Sequence, residues 1–183
     1  MTSFIGRAKE IEAATQLLRG VRLVTFLGPG GVGKTRTALR VATQLAQELD
    51  DGVCMVPLSS LKDPDLLADS VSAALGLLEQ TNRSQIDVLV DHLEDRELLL
   101  VLDTCEHIVD ACGMLADILL RSAPSVRILA TSREPWTCPA STPFHHAADC
   151  ARHGDRHGQR RQQDTDAMRL FADRAAAVVP GSC

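Results

Sequence analysis

Gly28-Pro29-Gly30-Gly31-Val32-Gly33-Lys34-Thr35 constrains this chain more than any other stretch. It fits G-x-x-x-x-G-K-[ST] in full, follows an apolar segment (RLVTFL, Arg22–Leu27) and opens a helical segment that runs to about Leu49. Glycines let the backbone wrap an anion so that several N–H groups converge on it at a helix N-terminus. Lys34 adds a charge for the β/γ-phosphates, and the Thr35 hydroxyl is a ligand for Mg²⁺. The expected nucleotide-binding set is Gly28, Gly30, Gly31, Val32, Gly33, Lys34, Thr35 and Arg36. A glycine-rich turn matching by chance would lack the two correct flanks.

The rest of the chain alternates strand and helix, the pattern of an α/β domain with a parallel sheet. Arg7–Leu18 reads as a short amphipathic helix. Strands are expected at Gly52–Pro57, Leu98–Leu102 (LLLVL) and Val126–Ala130, with helices over Asp63–Leu77, Ser84–Leu93 and Ile108–Ser122. LLLVL has no polar position, as in a central strand covered on both faces. The expected fold is a three-layer P-loop NTPase sandwich over residues 1–135. Its sheet order is expected as 2-3-1-4, with a doubtful fifth strand and a bare or weakly covered edge.

Composition narrows the class. The chain has 183 residues, 45% apolar and 23% charged, which suits a globular domain. Its longest apolar runs, Leu98–Leu102 and Ala175–Val179, are five residues each, far below the roughly 20 that a membrane helix needs. With no apolar leader after Met1, the expectation is a cytoplasmic protein without a membrane partner. A net charge of −5 argues against a chain that coats nucleic acid. The one basic stretch, 151–163, has no aromatic partners, so no direct DNA binding is expected. Cys54, Cys105 and Cys112 lie in apolar surroundings and read as small buried hydrophobes.

A Mg²⁺-nucleotide site also needs a carboxylate at the carboxyl edge of the sheet. Asp103 directly follows LLLVL and fits that place; the metal set is Thr35 and Asp103. Arg133, after the next strand in ATSR, is expected to reach the γ-phosphate, so the catalytic set is Lys34, Asp103 and Arg133. Without further information, FIGR at Phe4–Arg7 reads as a helix-start turn with a buried Phe.

Phe4–Arg7, GPGGVGKT, LLLVLDTCEH and ILATSREP, in this order, resemble the signal-transduction (STAND) ATPases of the apoptotic-ATPase and plant-resistance (NB-ARC-like) group. The likeness is greatest to ATPase modules of large bacterial transcriptional regulators. The resemblance implies an ATP/ADP switch acting on protein partners, and places Phe4, Ile5, Gly6 and Arg7 at the base end of the pocket. Members of the group usually carry Asn or Asp after the Mg²⁺ carboxylate, where this chain has Thr104, which cannot serve as a general base. Glu106 reads as a solvated loop residue or as half of a Glu–His pair with His107. Hydrolysis is therefore expected to be slow or partner-dependent. The alternative is a non-hydrolysing nucleotide-binding or interaction fragment, or a degenerate relative. A GTPase is disfavoured because no N-K-x-D motif occurs.

After Pro135 the periodicity stops, and 136–164 reads as irregular. Cys138, His145, His146, Cys150, His153 and His157 include zinc-ligand types, but their spacing lacks paired knuckles and argues against zinc. A local change of reading frame is the other reading. One GC-rich codon choice for WTCPASTP, read one base earlier, gives the V-P-G-E run usual in the group, and the encoding DNA decides it. MRLFADRAA within 165–183 resembles the start of a following helical domain, and with the chain ending at Cys183 this reads as a truncated product.

Overall fold

The computed structural model describes residues 7–78 and 82–136 and the backbone of 142–145. These belong to one compact unit spanning Met1–Ala148. In chain order the elements are α1 (Ala8–Gly20), β1 (Leu23–Leu27), α2 (Lys34–Leu45), β2 (Val53–Pro57), α3 (Leu67–Ala74), α4 (Gln85–Leu93), β3 (Leu99–Asp103), α5 (Val109–Ser122), β4 (Arg127–Ser132) and β5 (Thr142–His145).

Alternation along the strands builds two cores. Leu99 and Val101 of β3, Val24 and Phe26 of β1 and Leu129 of β4 pack on one face with Ile11, Ala14 and Leu18 of α1 and Ala38, Val41 and Leu45 of α2. Leu100 and Leu102 and their neighbours Ile128 and Ala130 point the other way, into a larger core with α3, α4 and α5. Because side chains in a strand alternate sides, a fully apolar strand such as LLLVL must feed both layers. The result is the three-layer P-loop NTPase sandwich that the sequence led us to expect. No described helix is long and apolar enough to cross a membrane.

Helix ends follow local chemistry. Ser84 caps α4, its Oγ accepting from the Ile86 N–H at 3.3 Å. The helix expected from Asp63 to Leu77 instead opens with a 3-10 turn at Pro64–Leu66, where Asp63 Oδ1 accepts from the Asp65 N–H. It closes at Gly76 (φ +73°), with Leu77 N–H bonding to Ser72 O and Gly76 N–H to Ala73 O. The carboxyl end of α5 is held differently. Arg22 Nη1 donates to the carbonyl of Leu120 at 2.8 Å, in the last turn, where a helix leaves its carbonyls unpaired, and to those of Ala123 and Pro124 just beyond it at 3.3 Å. Arg22→Ala is expected to lower unfolding free energy by about 1 kcal/mol. Denaturant unfolding followed by the fluorescence of Trp136, the chain's single tryptophan, checks this; an unchanged midpoint would show the clamp to be idle.

Two expectations about the sheet are corrected. Its order is β2-β3-β4-β1-β5, not 2-3-1-4, and all pairs are parallel. Strand β4 takes the place beside β3 that had been given to β1. The connection through α5 uses short loops on either side, and consecutive strands joined by one such crossover usually become neighbours. Hydropathy had no means of ordering β1, β3 and β4, because almost all of their positions are buried alike. The outer edge of β1 is also not bare. β5 pairs with it in register Val24↔Thr142 to Leu27↔His145, drawn from the segment expected to be irregular. An edge position tolerates Pro143, which has no N–H to donate. The helix expected within 165–183, the zinc candidates' side chains and the remainder of 146–164 lie outside the described residues.

Candidate functional site

Helix α2 lies on one face of the sheet and α5 on the other, so the chain leaves β1 and β3 in opposite directions at their carboxyl ends. In open α/β sheets this divergence creates the binding crevice. Here it is a cleft of about 550 Å³ lined from three sources. The loop after β1 and the first turn of α2 supply Gly30, Gly31, Gly33, Lys34, Thr35 and Arg36. The loop after β3 supplies Thr104 and Glu106, and the end of β4 supplies Thr131 and Arg133. Gly28 and Val32 of the expected set do not line it. Phe4, Ile5 and Gly6 lie outside the described residues, whereas Arg7 stands against the loop: a Cβ added to Gly33 would sit 3.8 Å from Arg7 Nη1.

The loop needs its glycines where the backbone turns left-handed, at Gly31 (φ +78°) and at Gly33 (φ +88°), which immediately precedes α2. Gly33, Lys34, Thr35 and Arg36 line the cleft, so the N-terminus of α2 opens on it, where the helix dipole favours an anion. Lys34 folds back over the loop, with Nζ donating to Gly28 O at 2.8 Å and Pro29 O at 3.1 Å. Desolvation pushes its ammonium below the usual lysine range. Glu106 and Asp103 oppose that shift, while Arg133 reinforces it.

Beside the loop, one carboxylate joins three elements. Asp103 Oδ1 accepts from Thr35 Oγ1 and from Thr131 Oγ1, each at 2.7 Å, and the residue is 8% exposed. Sequence reasoning missed Thr131. Its only signal was a hydroxyl near the end of a mostly apolar strand, a buried group that must find a partner. Thr131 is also gripped from the other side: Thr104 N–H donates to its hydroxyl at 2.8 Å and Cys105 N–H to its carbonyl at 2.9 Å. Two successive N–H groups reach one residue because Thr104 is left-handed, at φ +67°.

A β-branched residue is poorly suited to that conformation, which costs roughly 1–2 kcal/mol for most side chains but less for Asn. Thr104→Asn is therefore expected to raise the thermal midpoint by about 2–4 °C. Differential scanning calorimetry measures it, and a lowered midpoint would mean that the threonine side chain contributes more than its strain removes.

Glu106 does not pair with His107. Its Oε1 accepts from Arg133 Nε at 2.6 Å, while His107 Nε2 meets the Leu61 carbonyl at 2.6 Å. Cys54, Cys105 and Cys112 are buried and free, as expected, and burial pushes the Cys54 thiol up. Among the described residues no cluster of three or more His, Cys, Asp or Glu side chains could hold a metal ion. The Thr35–Asp103 pair is of another kind, a hydroxyl and one carboxylate. Such hard oxygen donors suit Mg²⁺, which takes few protein ligands and completes its shell with water and phosphate.

No protein-family model matches the chain. It is 46% identical over 134 residues to an uncharacterised protein of Mycobacterium tuberculosis, covering 73% of this chain and 34% of that one. A second relative from the same organism, provisionally named an HTH-type transcriptional regulator, is 39% identical over 173 residues, covering 90% of this chain and 17% of its own length. The chain thus spans about a third or less of these relatives. Among solved structures it resembles the Cdc6 protein of Pyrobaculum aerophilum, with a TM-score of 0.61 and 16% identity over 97% of this chain and 51% of that one. It also resembles a STAND ATPase with a tetratricopeptide repeat sensor from Pyrococcus horikoshii, with a TM-score of 0.56 and 14% identity over 80% of this chain and 23% of that one. Together with the strand order and the loop after β1, these likenesses identify the architecture as that of the P-loop NTPases.

Proposed function

We propose that this chain is an ATP/ADP-binding regulatory switch module whose ATP hydrolysis is slow or partner-dependent. One observation carries the reading: Thr35, at the start of α2, and Thr131, on β4, converge on the single carboxylate of Asp103 beside a complete phosphate loop. A ligand with phosphates in that loop would carry Mg²⁺ to Thr35 and Asp103, and the metal when bound would neutralise phosphate charge. The chain's own residues do the rest. Loop N–H groups and Lys34 bind phosphate, Thr131 orients the carboxylate, and Arg133 stands at the cleft with a charge for a terminal phosphate. Phe4, Ile5, Gly6 and Arg7 belong to the base end of the pocket, as the family resemblance implies.

The regulatory part of the reading draws on the relatives. One is provisionally named a transcriptional regulator, and it is several times longer than this chain. A nucleotide module of a STAND-type regulator, working on protein partners, agrees with that name and with the second structural likeness. The slow-hydrolysis part of the reading is supported by the residue that follows Asp103. Thr104, directly after Asp103, carries no carboxylate that could act as a general base. The same observation favours the second reading, a nucleotide-binding module without turnover.

Equilibrium titration of ADP and Mg·ATP into the purified chain tests binding, and single-turnover hydrolysis separates the two readings. A folded chain that binds neither nucleotide would overturn both.

A further inference from the structure

The ion pair between Glu106 and Arg133 is unequal. The Glu106 side chain is 14% exposed, whereas that of Arg133 is 59% exposed. The loop carrying Glu106 is fixed on both sides of it: Cys105 N–H bonds to Thr131 O, Ile108 N–H to Cys105 O, and His107 to the Leu61 carbonyl. Glu106 is therefore the fixed partner and Arg133 the one free to move. Both line the cleft that holds the phosphate loop.

A carboxylate in that place needs a reason. Asp103 has hydroxyl donors to answer its charge and would gain a metal with bound nucleotide, but Glu106 stands where a polyanion is to be bound and has Arg133 as its hydrogen-bond partner. A diphosphate that stays in the loop leaves the pair intact. A triphosphate that engages Arg133 strips a mostly buried carboxylate of its counter-charge, a state that proteins avoid.

We propose that Glu106 sets the preference of this site between diphosphate and triphosphate, by holding the Arg133 guanidinium until a terminal phosphate draws it away. The inference rests on the nucleotide-binding reading. It makes Glu106 a specificity residue that acts through Arg133 and weakens triphosphate binding relative to diphosphate. The resting form of the switch is then the ADP form, by a local device within the cleft.

The test is calorimetric titration of the full chain with ADP and with the Mg²⁺ complex of the non-hydrolysable triphosphate ADPNP. Wild type is compared with Glu106→Gln, Arg133→Ala and the double variant. Glutamine keeps the shape of Glu106 and removes its charge. It is expected to raise the affinity for the triphosphate relative to ADP by about 5- to 20-fold, toward the lower end of typical coupling between sites. With Arg133→Ala in place the same change should move that ratio by less than about twofold, because the held group is gone.

Glu106→Asp, which draws the carboxylate back from Arg133, should shift the ratio in the same direction by less. It also replaces the glutamine variant if that one fails to fold by Trp136 fluorescence. An unchanged ratio in the folded variant overturns the proposal. So does a full shift that persists without Arg133, which would show the carboxylate acting by its own charge. Wild type that binds neither nucleotide sinks the functional reading itself, whereas wild type that binds both, with no response to Glu106, sinks only this inference.

Discussion

Lys34→Ala is expected to weaken binding of both ADP and Mg·ATP by about 100-fold or more, a loss of roughly 3 kcal/mol. The ammonium sits over the loop, held by the Gly28 and Pro29 carbonyls, and so brings a full positive charge to the loop itself. Desolvation already disfavours that charge, and a bound phosphate would relieve the penalty by supplying a full counter-charge. The substitution should leave the fold intact, since the two carbonyls can turn to water at the rim. Isothermal titration provides the affinities and the thermal midpoint provides the control. A folded variant that binds within threefold of wild type would remove the phosphate loop from the account.

The second large effect is expected at Asp103. Asn there keeps the shape and one acceptor for the Thr35 and Thr131 hydroxyls, but loses the charge that would hold Mg²⁺. Affinity for Mg·ATP should fall by about 10- to 100-fold, as is common when metal support is removed. Any Mg²⁺-dependent hydrolysis should disappear with it. ADP measured in a chelator should bind within threefold of wild type. Titrating nucleotide at several Mg²⁺ concentrations distinguishes these outcomes. An undiminished dependence on Mg²⁺ would show that the metal is held elsewhere.

Much of the scaffold was legible in the chain because burial writes itself into residue order. A fully apolar LLLVL must be a covered strand, Ser84 before an apolar-periodic run is a helix start, and GPGGVGKT between a strand and a helix has one reading. What the residues could not convey was adjacency. Thr131 and Asp103 come together because β4 lies beside β3, and nothing in either segment says so. The same is true of Glu106 and Arg133, which pair across that boundary while the nearer His107 turns to Leu61. β5 was missed for a different reason. A short strand with Pro143 and His145 lacks the pattern of a half-buried strand, and it forms because the buried backbone of β1 needs partners along its outer edge.

The strand order also has a consequence for how the molecule is made. Within this unit β1 is made well before its partners: Leu23 pairs with Ile128 and Val24 with Thr142, near the end of the compact unit. Neither of its edges has a neighbour until almost all of the domain has been synthesised. The phosphate loop, which hangs from the end of β1, can take its final shape only then. During synthesis the nascent chain therefore exposes an apolar ribbon with two open edges, the kind of surface that chaperones hold and that aggregates when it is not held.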